Sequence, residues 1–230
     1  MDVRDYNKER KDKSVKLIED FAKLVNYGTV TEDRNEDAKE FIEDFGDLVN
    51  GSADMEAIID QFQKEPKDLQ QNMFNVILRL IVYVAFDKFQ TDGRNEYSHK
   101  VAKEIIEGVL KIRSESIFFI PEKEKFNANS ETIIYHFCRE HRTLQQIMFG
   151  VVLKLVQFIA SDDFQTNEQN INSHKTAQEI VGGFLKIFFQ KEFDYYKSVG
   201  FDDVISTEKA EKNTETLKNN PKDLFYLPLI

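Results

Sequence analysis

The chain has 230 residues, and its 31 Lys and Arg against 41 Asp and Glu give it a net charge of −10. Hydrophobic residues make up 41% of the chain, whereas glycine and proline number only 9 and 4, so the composition excludes a disordered or collagen-like chain. The single cysteine excludes a disulfide scaffold, and the acidic balance argues against a large nucleic-acid-binding surface.

The N-terminal 14 residues are densely charged and lack the apolar segment of a signal peptide, so we predict an intracellular protein, cytoplasmic or nuclear. The most apolar stretch, residues 73–86, is interrupted by Asn75 and Arg79 and is shorter than the ~20 residues that a membrane span requires. We therefore expect a buried helix there and no membrane span. Direct nucleic-acid binding is also not expected, because the cations between Lys8 and Lys16 are interleaved with acidic residues.

Two helices are predicted in the N-terminal region, over residues 14–27 and 36–49. Parts of residues 31–43 resemble parts of residues 91–107 if a four-residue gap is allowed. Residues 1–52 are therefore predicted to form a degenerate copy of the helical unit that follows.

The second of these helices begins with a short motif that has two interpretations. Asn35, Ala38, Glu40 and Phe41 match the peptide motif that binds the C-terminal domain of poly(A)-binding protein, and the segment resembles that motif. In that family the motif can accompany an all-helical middle domain of the initiation-factor-4G type, so the resemblance implies a translation regulator with poly(A)-binding protein as its partner. The segment departs from the motif at Arg34, where an apolar anchor is usual, and at its trailing proline. Alternatively, Asn35 caps a helix whose inner face carries Ala38 and Phe41.

An internal repeat organises the rest of the chain. Residues 69–112 align without gaps with residues 144–187, an offset of 75, and 24 of the 44 aligned positions are identical. We therefore predict an all-α fold of tandem three-helix repeats with a period of about 75 residues, forming a helical-repeat or pseudo-symmetric bundle domain. The predicted boundaries are 1–52 for the degenerate N-terminal unit, 53–127 for repeat 1, 128–200 for repeat 2 and 201–230 for a tail.

The first two helices of each repeat are predicted from periodicity and caps. The first helix is short and covers residues 55–64 and 131–140. The second follows a capping-box pattern, DLQQ at residues 68–71 and TLQQ at residues 143–146. It is apolar on nearly all sides, which predicts a central buried helix.

The third helix is predicted to begin at Ser98 and Ser173, after a polar loop that both repeats share. His99 and His174 lie in this shared element, which has two interpretations. Either the histidines are paired partner contacts in a duplicated binding loop, or the element is structural. In the structural case the loop phenylalanine packs into the core, and the Asn and Ser cap the helix.

Positions at which the repeats differ are expected to carry specificity. Residues 93–97 differ from residues 168–172, and Phe86 is aligned with a serine. If they are exposed, Phe86 and Tyr97 are candidate partner contacts.

The tail after Phe201 is polar over residues 206–220, which favours an irregular segment. It ends in an apolar peptide, LFYLPLI at residues 224–230, which either docks back on the bundle or binds a partner. Phe225 and Tyr226 are therefore also candidate partner contacts.

Motifs of catalytic, phosphate-binding or metal-binding kinds are not recognised, so we expect neither an enzyme nor a cofactor. Glu96 and His99 have the spacing of a di-iron ligand pair, but repeat 2 lacks the glutamate. His136, Cys138 and His141 lie close together in sequence, but no fourth zinc ligand is evident.

The preferred function is a non-enzymatic protein–protein interaction module or adaptor whose partner the sequence does not identify. One alternative is the translation regulator implied by the resemblance. The other is a carrier of a small apolar ligand, bound between the repeats in a pocket lined by phenylalanines such as Phe74, Phe149, Phe158 and Phe184. A homo-oligomer formed through the repeat faces is also compatible with the pattern.

Overall fold

The computed structural model describes residues 3–26, 33–50, 53–112 and 128–219, and these residues form α-helices and no β-strand. The predicted all-α class is therefore confirmed. The helices are α1 (Val3–Val25), α2 (Asp33–Asn50), α3 (Met55–Lys64), α4 (Lys67–Ala85), α5 (Glu96–Ile112), α6 (Ala128–Phe137), α7 (Arg142–Ala160), α8 (Ile171–Ser198) and α9 (Asp203–Asn219).

The capping-box prediction for α4 and α7 is wrong. Asp68 and Thr143 lie inside the first turn of their helices, and the N-cap positions belong to Pro66 and His141. The side chain of His141 accepts a hydrogen bond from the backbone N–H of Thr143 at 3.4 Å, whereas Pro66 makes no side-chain cap. The glutamines of the two patterns are used in contacts between helices instead.

The predicted start of the third helix is also two residues late. α5 begins at Glu96 and α8 at Ile171, so Ser98 and Ser173 lie in the first turn rather than at the cap. Asn170 occupies the N-cap position of α8 without capping it through its side chain.

The polar segment after Phe201 forms α9, which corrects the expectation of an irregular tail. The Asp202 carboxylate accepts a hydrogen bond from the Ile205 N–H at 2.9 Å and caps the first turn. Ser206, Ala210 and Leu217 are buried, and α9 packs on α8. These few buried residues pack α9 on α8, and the polar composition of the segment did not predict this helix.

α4 and α7 are the central helices, as predicted. Their Met and Phe side chains at aligned positions, Met73, Phe74, Met148 and Phe149, are at most 1% exposed. By length and composition, α7 could also cross a membrane, and half of its most apolar stretch is buried inside this fold.

α1 and α2 contact each other but pack on different partners. α1 packs on α3 and α4, whereas α2 packs on α6 and α7. The two helices are also alike in sequence, since SVKLIEDFAKLVN at residues 14–26 and AKEFIEDFGDLVN at residues 38–50 agree at 7 of 13 positions. The same alignment matches their buried positions, which pair Ser14 with Ala38, Leu17 with Phe41, Ile18 with Ile42, Phe21 with Phe45, Leu24 with Leu48 and Val25 with Val49. Sequence analysis compared α2 with α5 and missed this similarity.

α5 and α8 approach each other at Gly108 and Gly183, two positions that are 75 residues apart. A Cβ atom on Gly108 would lie 2.6 Å from the carbonyl carbon of Gly183, and one on Gly183 would lie 2.7 Å from the carbonyl carbon of Gly108. Only glycine permits backbones to come this close. A Cβ on the neighbouring Gly182 would meet nothing within 4 Å.

Candidate functional site

Four polar side chains from the shared motifs meet in two reciprocal contacts, which we call the clasp. Asn170 donates from Nδ2 to Oε1 of Gln70 at 2.8 Å, and Asn95 donates from Nδ2 to Oε1 of Gln145 at 2.7 Å. All four residues are 0% exposed. Each contact joins one aligned segment to the other, because residues 70 and 95 are aligned with residues 145 and 170.

The remaining polar atoms of the clasp are hydrogen-bonded within the protein. Nε2 of Gln70 donates to the carbonyl oxygens of Phe62, Gln63 and Glu65, each at 3.0 Å. Nε2 of Gln145 donates in the same way to the last residues of α6 and its following turn, Phe137 and Cys138, at 3.1 Å. The glutamines therefore bind carbonyl groups at the ends of α3 and α6. The clasp is saturated, which is typical of a structural network rather than of a binding site.

The serines and the second glutamines of the motifs form a parallel set of contacts. Ser98 donates to Oε1 of Gln146 from its backbone N–H at 3.0 Å and from its hydroxyl at 2.7 Å. Ser173 donates from its hydroxyl to Oε1 of Gln71 at 2.8 Å. The first turn of α5 is thus capped by a side chain of α7, 48 residues away in sequence.

His99 and His174 occupy equivalent structural positions. Each ring donates from Nδ1 to a backbone carbonyl oxygen at 2.6 Å, and each stacks on a phenylalanine ring with centroids 6.0 Å apart. The acceptors are Val84 and Ile159, and the stacked rings are those of Phe89 and Phe164, which are buried. These contacts support the structural interpretation of the shared loop, in which the phenylalanine packs into the core.

The motif at residues 35–41 lies in the first turns of α2. Ala38 and Phe41 are buried, and the Phe41 ring stacks on Phe21 with centroids 5.2 Å apart. Asn35 and Glu40 are exposed, and Oδ1 of Asn35 accepts a hydrogen bond from Nε2 of His136 at 3.0 Å. Binding of Phe41 by poly(A)-binding protein would therefore require α2 to leave the core.

The other predicted contact residues differ in their exposure. Phe86 is 56% exposed at the C-cap of α4, whereas Tyr97 is half-buried against the core. Phe225 and Tyr226 lie outside the described residues.

Several exposed apolar side chains surround the turn between α8 and α9, which we call the elbow. Its members are Tyr195, Val199, Phe201, Val204 and Ile205, all exposed. Gly200 makes the turn with a φ of +97°, a conformation that side-chain-bearing residues rarely adopt. No residue between 188 and 205 is buried.

Polar contacts hold the elbow in shape. Nζ of Lys197 lies 2.6 Å from the Asp203 carboxylate, which ties the end of α8 to the start of α9. Nζ of Lys209 lies over the rings of Tyr196 and Phe201, 5.2 and 4.9 Å from their centroids. Sequence periodicity did not indicate that the aromatic side chains of this stretch would be left uncovered.

Three cavities bear on the carrier alternative, which requires an apolar pocket between the repeats. An open groove of 830 Å³ lies between α8 and α9, and one of 590 Å³ lies between α1 and α2. An apolar cavity of about 40 Å³ lies inside the core, where it has room only for a water-sized molecule. Phe74, Phe149, Phe158 and Phe184 line none of these three.

Groups with shifted pKa values lie at separate places. A hydrogen bond with the Cys138 thiol raises the pKa of Tyr83 to about 12, and burial raises the pKa of Cys138. Hydrogen bonds from Arg94 lower the pKa of Asp92 to about 2. Within the described ranges, no three His, Cys, Asp or Glu side chains are grouped closely enough to hold a metal ion.

Comparisons with known proteins add no assignment. No family model, curated protein or solved structure matches this chain.

Proposed function

We propose that the protein is a non-enzymatic protein–protein interaction module built on a duplicated helical unit, with the elbow as its principal contact surface. The observation that carries the proposal is the cluster of five exposed apolar side chains at the elbow, of which Val204 is 67% exposed. Exposed apolar side chains clustered in this way are typical of interaction sites, and aromatic residues often dominate the binding energy there.

The duplicated unit is proposed to contain four helices rather than three. One unit combines α1 with α3, α4 and α5, and the other combines α2 with α6, α7 and α8. Support comes from the packing of α1 and α2 on different segments, the sequence similarity of these two helices, and the reciprocal clasp. In this arrangement residues 1–52 are not a third unit, because each unit takes one of their helices.

We call the unit of α1 and α3 to α5 the first half and the unit of α2 and α6 to α8 the second half. The two halves share some residues and differ in others, and these two groups of residues have different proposed roles. The shared polar motifs are used in the internal contacts of the clasp. α8, by contrast, continues eleven residues beyond Ile187, the residue aligned with the end of α5, and α9 packs on it. The contact surface is therefore placed where the second half differs from the first.

Affinity purification of the tagged full chain from its native source tests this proposal. Val204→Glu adds a charge to the elbow at an exposed position, and Leu110→Glu is the matched control, because Leu110 is 53% exposed on α5. We expect some recovered proteins to be lost with Val204→Glu and retained with Leu110→Glu, with and without RNase. Identical protein sets from both variants, or recovery that requires RNA, would contradict an elbow that binds proteins.

A further inference from the structure

We infer that α9 is a weakly docked helix, that Lys209 is the positioning residue that holds it on α8, and that the elbow is complete only while α9 is docked. Docking of α9 thus controls whether the contact surface is presented. This last step rests on the proposed function, whereas the docking itself can be measured without any partner.

α9 contributes little apolar surface to the fold. Of residues 203–218, only Ser206, Ala210 and Leu217 are buried, whereas α7 buries nine residues. Its main packing partner is α8. Oγ of Ser206 is buried and has no hydrogen-bond partner among the described residues, and such a group disfavours the docked state. The free energy that holds α9 in place is therefore small compared with that of a core helix.

The sequence of α9 is also a poor helix former on its own. Thr207, Thr214 and Thr216 each donate a hydroxyl hydrogen bond to the carbonyl oxygen four residues earlier, at 2.8, 2.7 and 2.8 Å. Bonds of this kind slightly weaken a helix, and threonine has a low helix propensity. A helix of 17 residues with this composition is marginal in water, so we expect α9 to lose its helical structure when it leaves α8.

Two polar contacts of α9 converge on Tyr196 of α8. Nζ of Lys209 lies 5.2 Å from the centroid of the Tyr196 ring, and Nδ2 of Asn213 donates to the Tyr196 hydroxyl at 3.0 Å. Asn213 follows Lys209 by four residues, so both side chains lie on the same side of α9. Nδ2 of Asn213 also donates to the Glu192 carboxylate at 2.5 Å. The docked position of α9 therefore depends on these polar contacts as well as on its few buried residues.

Lys209 joins this contact to the elbow. Its Nζ also lies 4.9 Å from the centroid of the Phe201 ring, and the Tyr196 and Phe201 rings meet edge to face with centroids 5.9 Å apart. Lys209 is half-buried, which strengthens a contact between a cation and a ring. The elbow residues Val204 and Ile205 lie in the first turn of α9, so undocking of α9 separates them from the elbow residues of α8.

Hydrogen exchange of the full-length protein, followed by mass spectrometry, tests the docking. We expect the backbone amides of α9 to exchange many-fold faster than those of α7. Lys209→Gln removes the charge over the two rings and is expected to accelerate exchange in α9 several-fold further, whereas Lys209→Arg retains the cation and is expected to stay near the parent rate. Lys212→Gln is the matched control, because it removes the same charge from an exposed position of the same helix.

A variant that tightens the docking gives the opposite readout. Ser206→Ala removes the buried hydroxyl and is expected to slow exchange in α9. Exchange in α9 as slow as in α7, or exchange that Ser206→Ala leaves unchanged, would overturn the weak docking. Equal rates in Lys209→Gln and Lys212→Gln would overturn the role of Lys209.

Partner recovery separates this inference from the proposed function. If docking presents the elbow, Lys209→Gln lowers recovery of the same proteins that Val204→Glu abolishes, and Lys209→Arg restores it. Full recovery of those proteins with Lys209→Gln, together with faster exchange in α9, would contradict the control of the elbow by docking. If Val204→Glu abolishes nothing, the proposed function fails, and the exchange rates still decide whether α9 is weakly docked.

Discussion

The clasp is a cluster of buried polar side chains, whereas the elbow is a cluster of exposed apolar side chains. In the clasp, amide groups that are 0% exposed meet in aligned pairs, and both segments contribute the same residues. In the elbow, apolar side chains stand exposed, and they belong to the second half alone among the described residues. The comparison teaches that the shared amides are used in internal contacts, whereas the exposed apolar cluster is found where the second half differs from the first.

This comparison also explains why repeated motifs mislead a search for function. Two copies of a histidine or an asparagine suggest a duplicated site. Here each asparagine bonds to a glutamine of the other segment, and each histidine bonds to a backbone carbonyl of its own segment. A buried amide has to be hydrogen-bonded, and each asparagine of the clasp finds its partner in a glutamine of the other segment.

The largest expected effect comes from the glycine contact between the halves. Gly183→Ala places a Cβ atom 2.7 Å from the carbonyl carbon of Gly108, so α5 and α8 must separate, and we expect a loss of about 3 kcal/mol in the free energy of unfolding. Urea denaturation measures this loss.

Gly182→Ala is the matched control. Its Cβ would meet nothing within 4 Å, and alanine is the better helix former by about 1 kcal/mol, so stability is expected to rise or stay constant. Equal losses at the two positions would mean that α5 and α8 do not meet at Gly183.

The clasp is expected to have the next largest effect. Gln145→Leu leaves the carbonyl oxygens of Phe137 and Cys138 and the Nδ2 group of Asn95 without that partner, and we expect it to cost about 2 kcal/mol. Gln70→Leu should cost the same within about 1 kcal/mol, because Gln70 also joins an asparagine of the other segment to carbonyl groups at a helix end. Chemical denaturation of both variants checks the equality. A neutral substitution in one half would break the proposed symmetry.

The smallest expected effect on the free energy of unfolding comes from the titration of His136. The aligned residue in the first half is Gln61, which does not titrate, so this position distinguishes the two halves. Burial lowers the pKa of His136 below its ordinary value of 6.5, and the charges of Arg139 and Lys39 act in the same direction. The unfolded chain therefore takes up the proton first. This contribution to stability is fully present above pH 6.5 and is lost as the pH falls through the lower pKa of the folded state.

His136→Gln installs the residue of the first half and removes this titration. We expect its free energy of unfolding to change less between pH 7 and pH 5 than that of the parent chain. Denaturation midpoints across that range give the comparison, and parallel profiles would show that His136 does not contribute.

Local patterns determined the parts of the fold that depend on neighbours in sequence. Periodicity placed α3 at residues 55–64, and the all-round apolar pattern identified α4 as a buried helix. The packing of Phe89 and Phe164 into the core also followed from their loops. Each of these features is determined by side chains within one or two helical turns.

Local patterns predicted only part of the proposed contact surface. Phe86 was singled out and is exposed, whereas the elbow was missed. Exposure depends on whether another helix covers a face, and no local pattern reports that. α9 was missed for a related reason, since Ala210 and Leu217 are too few to produce an amphipathic pattern.

The sequence by itself therefore determined the helical class, the internal similarity and the apolar faces, because 3.6-residue periodicity is a property of neighbouring residues. Only the tertiary structure decided that Gln70 pairs with Asn170 across 100 residues and that α1 and α2 pack on different helices. These outcomes depend on which surfaces meet, and hydrogen bonds between distant residues form only after the helices have packed.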